Sequence, residues 1–167
     1  MSIEYVSRPG GLGFMDYNST DAEFAVAANV WTTVENNGLG SSTNKGFSLS
    51  SVPEVMDSVG RVVFDSLALG DALLVRTDLT VTASVNGASL EYRWVLGEDP
   101  GGLYTLPSFL GTLANGAGVP VRFIFSSYVY AGDLNTYNNP VELQVRSSEV
   151  CVVNNAGSAI QLFRKGE

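Results

Sequence analysis

The chain contains no histidine, and it has one cysteine among its 167 residues. Without histidine it cannot assemble Ser-His-Asp or Cys-His catalytic groups, and it offers no imidazole ligand to a metal ion. The single cysteine, Cys151, excludes an internal disulfide framework and a cysteine-cluster zinc site. Because Cys151 lies in the apolar run VCVV, we expect it to be a small buried side chain rather than a nucleophile.

Charged residues are also scarce, at 16% of the chain compared with about 25% in a typical soluble domain. The 17 acidic and 9 basic residues give a formal net charge of −8. An acidic chain without a basic stripe is not expected to bind nucleic acid through its phosphates. A surface with so little charge indicates contact with sister subunits or another protein, where buried charges would cost desolvation energy.

Long apolar runs are absent as well. No stretch approaches the roughly 18 residues that cross a bilayer, and the first residues lack the charged and apolar regions of a secretion signal. We therefore expect no membrane association and no secretion.

What the sequence does contain is a series of short apolar runs separated by Gly, Asn, Asp and Pro, without sustained helical periodicity. This pattern predicts an all-β protein. The predicted strands are residues 24–34, 46–50, 61–65, 73–85, 88–96, 121–130, 141–146, 149–153 and 159–164. Long glycine- and proline-rich loops between strands of uneven length favour a two-sheet antiparallel jelly-roll sandwich.

The first residues differ from the remainder of the chain. Residues 1–20 contain the glycine-rich run RPGGLGF and a turn-like segment, so we predict an extended N-terminal arm. Residues 21–167 form the predicted jelly-roll domain. The arm is a candidate docking element, and its alternative is a tail that packs along its own domain. Residues 97–119 and 131–140 are predicted to be loops.

The pair Asn86-Gly87 is a strong signal for a hairpin turn. Folding the chain at this turn opposes Val81 to Tyr92 and Leu79 to Trp94, so that one face is apolar and the other polar. The pattern predicts a sheet with one side on a core that contains Trp94. The segment 121–130 is apolar on both faces, which is typical of a sandwich centre or a subunit interface.

Carboxylates are the only abundant catalytic groups. A glycosidase needs two carboxyl groups held about 5–10 Å apart across a cleft, and the sequence singles out no such pair. Asp16, Asp21 and Glu23 lack the spacing of a calcium-binding loop. We therefore expect no enzymatic activity and assign no catalytic, cofactor-binding or metal-binding residue, with a glycan-cleaving enzyme as an alternative.

Several segments together resemble a known group of folds. LALGDALLVRTDLTVT at residues 67–82, the Asn-Gly turn and LEYRWVLG at residues 90–97 are similar to a jelly roll of the TNF/C1q-like type, in the version found in tailed-phage virion proteins. The resemblance continues through residues 121–130 and NPVELQV at residues 139–145, and it covers roughly residues 24–165.

The resemblance implies a homotrimer whose aromatic strands surround a threefold axis. Carried over to this sequence, it places an oligomer interface at Phe123, Phe125, Tyr128 and Tyr130. It also implies a capsid decoration (cement) protein, made in the host cytoplasm, that binds the major capsid protein on the exterior of the virion.

The predicted arm would then dock on the capsid through the aromatic anchors Tyr5, Phe14 and Tyr17. The alternative function is a receptor- or carbohydrate-binding tip module of a phage fibre. That alternative predicts exposed aromatic residues in the loops at one end of the trimer, for which Tyr104 and Tyr137 are candidates.

Overall fold

The computed structural model describes residues 12–36, 42–47, 54–97, 104–114 and 116–165, and within them nearly all regular structure is β-strand. The strands are β1 Leu12–Val26, β2 Thr32–Thr33, β3 Asn44–Phe47, β4 Ala72–Ala83, β5 Ala88–Leu96, β6 Tyr104–Leu113, β7 Pro120–Tyr130, β8 Glu142–Ser147 and β9 Cys151–Phe163, with one short helix, α1, at Leu134–Asn138. A five-stranded sheet in the order β3-β1-β9-β4-β7 faces a four-stranded sheet in the order β2-β8-β5-β6. The predicted all-β, two-sheet antiparallel jelly-roll sandwich is confirmed.

The core lies between the two sheets. Strand β4 alternates strictly, so that Leu79 and Val81 are fully buried while the intervening side chains face outward. Trp94 and Leu90 of β5 meet them from the other sheet, and each fully buried side chain of this size stabilises the fold by about 1.5–3 kcal/mol. The expectations that Trp94 and Cys151 are buried are both confirmed.

The predicted hairpin pairing of β4 with β5 is wrong. The turn at Asn86-Gly87 exists, and Gly87 has the positive φ of 82° that favours glycine, but the turn carries the chain from one sheet to the other. Strand β4 pairs with β7 and β9, whereas β5 pairs with β6 and β8. The alternation of apolar and polar residues shows which face of a strand is buried. It does not show the pairing partner, because two strands that pair in one sheet and two strands that face each other across a core have the same alternation.

Other segments also differ from the prediction: the predicted strand 24–34 is interrupted between β1 and β2, residues 61–65 contain only an isolated bridge at Val62, and the predicted loop 131–140 contains α1. Residues 97–119, predicted to be a loop, contain the edge strand β6, and the two predicted strands 149–153 and 159–164 are joined in the single long strand β9. A β-bulge lets β9 continue, since Asp78 opposes Gly157 while the next residue of β4, Leu79, opposes Asn155. Gly157 has a φ of 145°, and an added Cβ there would lie 2.6 Å from the Tyr17 carbonyl oxygen.

The predicted N-terminal arm, residues 1–20, is wrong for residues 12–20, because β1 begins at Leu12 and pairs with both β9 and β3. Met15 and Tyr17 face the core while Phe14 faces outward, and this alternation is the period of two expected of a strand. Residues 1–11, with the predicted anchor Tyr5, lie outside the described residues.

A hydrogen-bonded carboxylate holds the segment around β3 against β1. The buried Tyr17 hydroxyl donates to Glu54 Oε2 at 2.8 Å and accepts from the Val55 backbone N–H at 3.1 Å. Glu54 also accepts from the Ser42 backbone N–H and from Lys45 Nζ, both at 2.9 Å. Burial raises the pKa of Tyr17 well above its ordinary value, so the hydroxyl stays protonated and remains a donor.

The substitution Tyr17→Phe is expected to lower the free energy of unfolding by about 1–2 kcal/mol, because it leaves the Val55 N–H and the Glu54 carboxylate each short of one partner. Urea unfolding at a fixed protein concentration measures the change. Tyr128→Phe removes a hydroxyl from a ring that is 57% exposed and serves as the matched control. Equal stability of the two variants would contradict the role of the Tyr17 hydroxyl.

Stability should also fall in acid through Glu54. Burial alone would raise the pKa of Glu54, but hydrogen bonds from Lys45, Tyr17 and Ser42 outweigh it and hold that pKa below its ordinary value. A lowered folded-state pKa contributes stability above the unfolded value of about 4.3, and the contribution is lost as the pH falls through the folded-state pKa.

The difference in unfolding free energy between the wild-type chain and Glu54→Gln should therefore be largest near neutral pH and shrink below about pH 4.3. Chemical unfolding curves recorded across this pH range test the expectation. A difference that stays constant from neutral pH to the acid limit would contradict it.

Candidate functional site

The outer face of the five-stranded sheet carries apolar side chains on two neighbouring cross-strand rows. The strand register places Leu12, Phe163, Ala72 and Tyr130 on one row and Phe14, Gln161, Leu74 and Tyr128 on the next. We call the large apolar members the aromatic patch, and these are Leu12, Phe14, Leu74, Tyr128, Tyr130 and Phe163. Tyr128 and Tyr130 are 57% and 53% exposed, and the Tyr128 ring lies 6.1 Å from that of Tyr130 and 6.4 Å from that of Phe163.

The structure divides the four residues predicted to form the oligomer interface between two surfaces. Tyr128 and Tyr130 lie in the aromatic patch, whereas Phe123 and Phe125 point to the opposite face of β7 and pack against the core. The Phe125 ring stacks on Tyr92 with centroids 4.3 Å apart. The four side chains therefore do not form one continuous surface.

Phe123 and Phe125 lie on the side of the sandwich where the terminal strands β6 and β7 of the two sheets meet, and we call this side the open edge. Strands β6 and β7 are the terminal strands of their sheets, and among the described strands each pairs on one side only. They approach each other where Phe123 packs against Gly111, with an added Cβ on Gly111 lying only 3.1 Å from the ring. Long free edges are templates for further pairing, and soluble proteins normally cover them.

One end of the open edge contains a tyrosine-lined cavity of about 160 Å³. Tyr104, Tyr128 and Tyr130 line it, together with Asp133, which caps helix α1 by accepting a 2.8 Å hydrogen bond from the Thr136 backbone N–H. The other candidate loop tyrosine, Tyr137, is not part of this cavity. Its half-buried ring packs on the core, and its hydroxyl donates to the Leu67 carbonyl oxygen at 3.3 Å.

The outer face of the four-stranded sheet is different, because its own side chains pair with one another. The guanidinium carbons of Arg93 and Arg146 lie 4.4 and 4.8 Å from the centroid of Trp31. Arg146 Nε donates to Glu91 Oε2, and Arg93 Nε donates to Gln144 Oε1, both at 2.9 Å. Burial, and then the charge of Arg146, lower the pKa of Arg93 from its ordinary value. The half-buried Trp31 is covered by these arginines.

A polar region follows the aromatic patch along the five-stranded sheet. Arg122 Nε donates to Asp78 Oδ1 at 2.8 Å, and Arg122 Nη2 donates to Asp78 Oδ2. The hydrogen-bonded Arg122 guanidinium, with a smaller contribution from Arg76, holds the pKa of Asp78 below its ordinary value. This outer face therefore combines an apolar end with a charged middle.

Of the three predicted capsid-docking anchors, Phe14 is the one that the structure places at the surface, where it is 45% exposed within the aromatic patch. Tyr17 is fully buried, so its predicted role as an anchor for a partner is wrong. Leu12, Leu74 and Phe163 were not predicted as functional residues. A period of two running from Leu12 through Phe14 could have indicated the first of them, whereas the other two become neighbours only through pairing with β9.

The described part of the chain contains no cluster of three or more His, Cys, Asp or Glu side chains that could hold a metal ion. None of its helices is long and apolar enough to cross a membrane.

No protein-family model and no curated protein matches the sequence. Solved structures similar to the chain include the infectious bursal disease virus Gt strain, at 12% identity and a TM-score of 0.48, over 97% of this chain and 35% of that one. The chain thus spans about a third of that viral protein. The PRD1 vertex protein P5 is similar at 14% identity and a TM-score of 0.44, over 93% of this chain and 73% of that one. Eiger TNF from S. frugiperda is similar at 15% identity and a TM-score of 0.47, over 95% and 94%.

Proposed function

We propose that this protein is a structural virion protein that self-associates, as a trimer, and stabilises a phage capsid from its exterior as a decoration or cement protein. The observation that carries the proposal is the aromatic patch, which exposes Phe14, Tyr128 and Tyr130 on one sheet face, with Phe163 and Leu74 on the two strands between them. Aromatic side chains gathered in this way are the residues that most often dominate the energy of a protein interface.

Two different surfaces are available for self-association. The aromatic patch lies on the outer face of the five-stranded sheet, and the open edge, with the half-buried Phe123 and Phe125, lies along its terminal strand. Contact between the open edge of one copy and the patch of the next is heterologous, and heterologous contacts that close form rings. The resemblance to trimeric TNF/C1q-like jelly rolls favours a ring of three.

We propose the capsid as the partner because residues 24–165 resemble the jelly rolls of tailed-phage virion proteins. A protein that binds the assembled shell and not its free subunits stabilises the shell by its binding free energy. Three linked copies convert weak single contacts into strong retention, because the second and third contacts form at a high effective concentration.

Capsid docking is assigned to residues 1–11 with Tyr5 as the anchor. Phe14 belongs to the aromatic patch and Tyr17 to the core, so neither is available to a second partner. The sequence of this segment, MSIEYVSRPGG, keeps one aromatic side chain and one basic side chain for contact with the shell.

The double substitution Tyr128→Ser with Tyr130→Ser is expected to convert the oligomer to single chains of 17.7 kDa, because it removes two exposed rings, each of which gains about 1.5–3 kcal/mol on full burial. Native mass spectrometry or light scattering measures the mass. Val150→Ser is the control, since Val150 is 53% exposed but lies on the β8–β9 connection, outside both the aromatic patch and the open edge. A wild-type chain that is monomeric at all concentrations would contradict the proposed self-association.

The variant Tyr5→Ser is expected to remain oligomeric and to lose at least tenfold in affinity for capsids, which corresponds to about 1.4 kcal/mol. Co-sedimentation with capsids isolated from the phage particles that carry the protein gives the occupancy. Ser7→Ala is the matched control within the same segment.

Undiminished capsid occupancy after removal of residues 1–11 would contradict the docking assignment. The tyrosine-lined cavity favours the alternative function, a carbohydrate-binding tip module, because tyrosine rings beside the carboxylate of Asp133 suit a neutral sugar. Retention on host glycans that Tyr104→Ala abolishes, together with no retention on capsids, would replace the decoration function with that alternative.

A further inference from the structure

The row of the five-stranded sheet next to the aromatic patch carries an acid and a base that do not pair with each other. Asp16 on β1 and Arg76 on β4 both oppose Ala159 of β9, one on each side. Two strand spacings of about 4.8 Å separate them. Within the described residues, neither side chain takes part in a hydrogen bond or an ion pair, whereas the nearby Asp78 is held by Arg122.

The surroundings of Arg76 leave room for a carboxylate from outside the chain. Arg76 lines a polar cavity of about 140 Å³ together with Asn18, Asp78 and Ser158. The side chain between Asp16 and Arg76 is the small one of Ala159. A negatively charged group can therefore reach the guanidinium without displacing a large side chain.

Burial of the aromatic patch brings this row to the same interface. Phe14 is two residues before Asp16 on β1, and Leu74 is two residues before Arg76 on β4, so the two rows are about 7 Å apart. Two charges that have no ion-pair partner among the described residues lose hydration at the margin of a buried surface, which is costly unless each meets an opposite charge. A second copy of the chain supplies one acid and one base.

The arrangement of the two charges matches a head-to-tail contact. Asp16 lies on the β1 side of the sheet, and Arg76 lies on β4, beside the terminal strand β7. A head-to-tail contact that sets the open edge of one copy against the β1 side of the outer face of the next brings Arg76 of the first copy towards Asp16 of the second. The partner that satisfies both charges is therefore a second copy of this chain.

We infer that Arg76 of one copy forms an ion pair with Asp16 of the next copy, and that this pair sets the registry of the self-association. The inference rests on the proposed self-association and names a charged contact within that interface. It also orients the outer face of the five-stranded sheet in each copy towards its neighbour.

A charge exchange tests the pair. Asp16→Arg and Arg76→Asp, each alone, place like charges at the contact and should weaken association of the full chain at least tenfold, as measured by analytical ultracentrifugation. The double variant restores opposite charges and should return to within about threefold of the wild type. Glu149→Arg, an equal charge change at an exposed position on the β8–β9 connection, should leave association unchanged.

Salt gives a second readout that does not depend on the tolerance of the fold for reversed charges. Association of the wild type and of the exchanged double variant should weaken as salt rises, because exposed ion pairs are screened. The neutral variant carrying Asp16→Asn and Arg76→Gln should lose most of that salt dependence.

The outcomes separate this inference from the proposed function. A monomeric wild type would overturn both. The ion pair alone would be overturned if the double variant carrying Tyr128→Ser and Tyr130→Ser dissociates the oligomer while the single charge variants leave it intact. Additive weakening in the double variant would overturn it as well, and binding of an added acidic peptide in competition with self-association would support it.

Discussion

The candidate surface depends on strand β9, which pairs along its length with β1 on one side and β4 on the other. This pairing brings Phe14 onto one row with Leu74 and Tyr128, although the three residues are far apart in the sequence. Strand β9 is not interrupted at its centre because it forms a bulge at Gly157. The Tyr17 carbonyl oxygen lies there in the space that a Cβ would occupy. A larger residue at position 157 would separate the N-terminal part of β1 from the sheet, and with it Leu12 and Phe14 of the aromatic patch.

The outer faces of the two sheets differ in the side chains that they expose to water. On the four-stranded sheet, Arg93 and Arg146 cover Trp31 and bond to Gln144 and Glu91, so this part of the face is covered by its own side chains. The five-stranded sheet leaves its aromatic end exposed. Part of the low charge content of the chain therefore has a local explanation, since Phe, Leu and Tyr stand at surface positions of this second face.

Local patterns in the sequence predicted which side of a strand is buried but did not predict the partners of that strand. The alternation of β4 and β5 correctly indicated that Leu79 and Trp94 face a core, whereas their direct pairing was wrong because strands in one sheet and strands facing across a core show the same period. Strand β6 was not predicted because, as an edge strand, it is largely exposed, and its apolar and polar residues alternate only weakly. The glycine-rich start of β1 concealed a strand for which the pairing with β9 outweighs local propensity. Tyr128 and Tyr130 were predictable from their own strand, while Leu74 and Phe163 entered the patch only through nonlocal pairing.

An apolar surface and a charge pair serve different purposes in an assembly of identical copies. Burial of aromatic rings is favourable in many relative orientations, because the hydrophobic effect is not directional. The patch alone would therefore permit several ways of joining two chains. Opposite charges on either side of Ala159 disfavour arrangements that bring Arg76 of one copy near Arg76 of the next, or that bury Asp16 without a partner. Such complementarity contributes more to specificity than to affinity. A single registry follows when the patch supplies the binding energy and the neighbouring row selects among the arrangements.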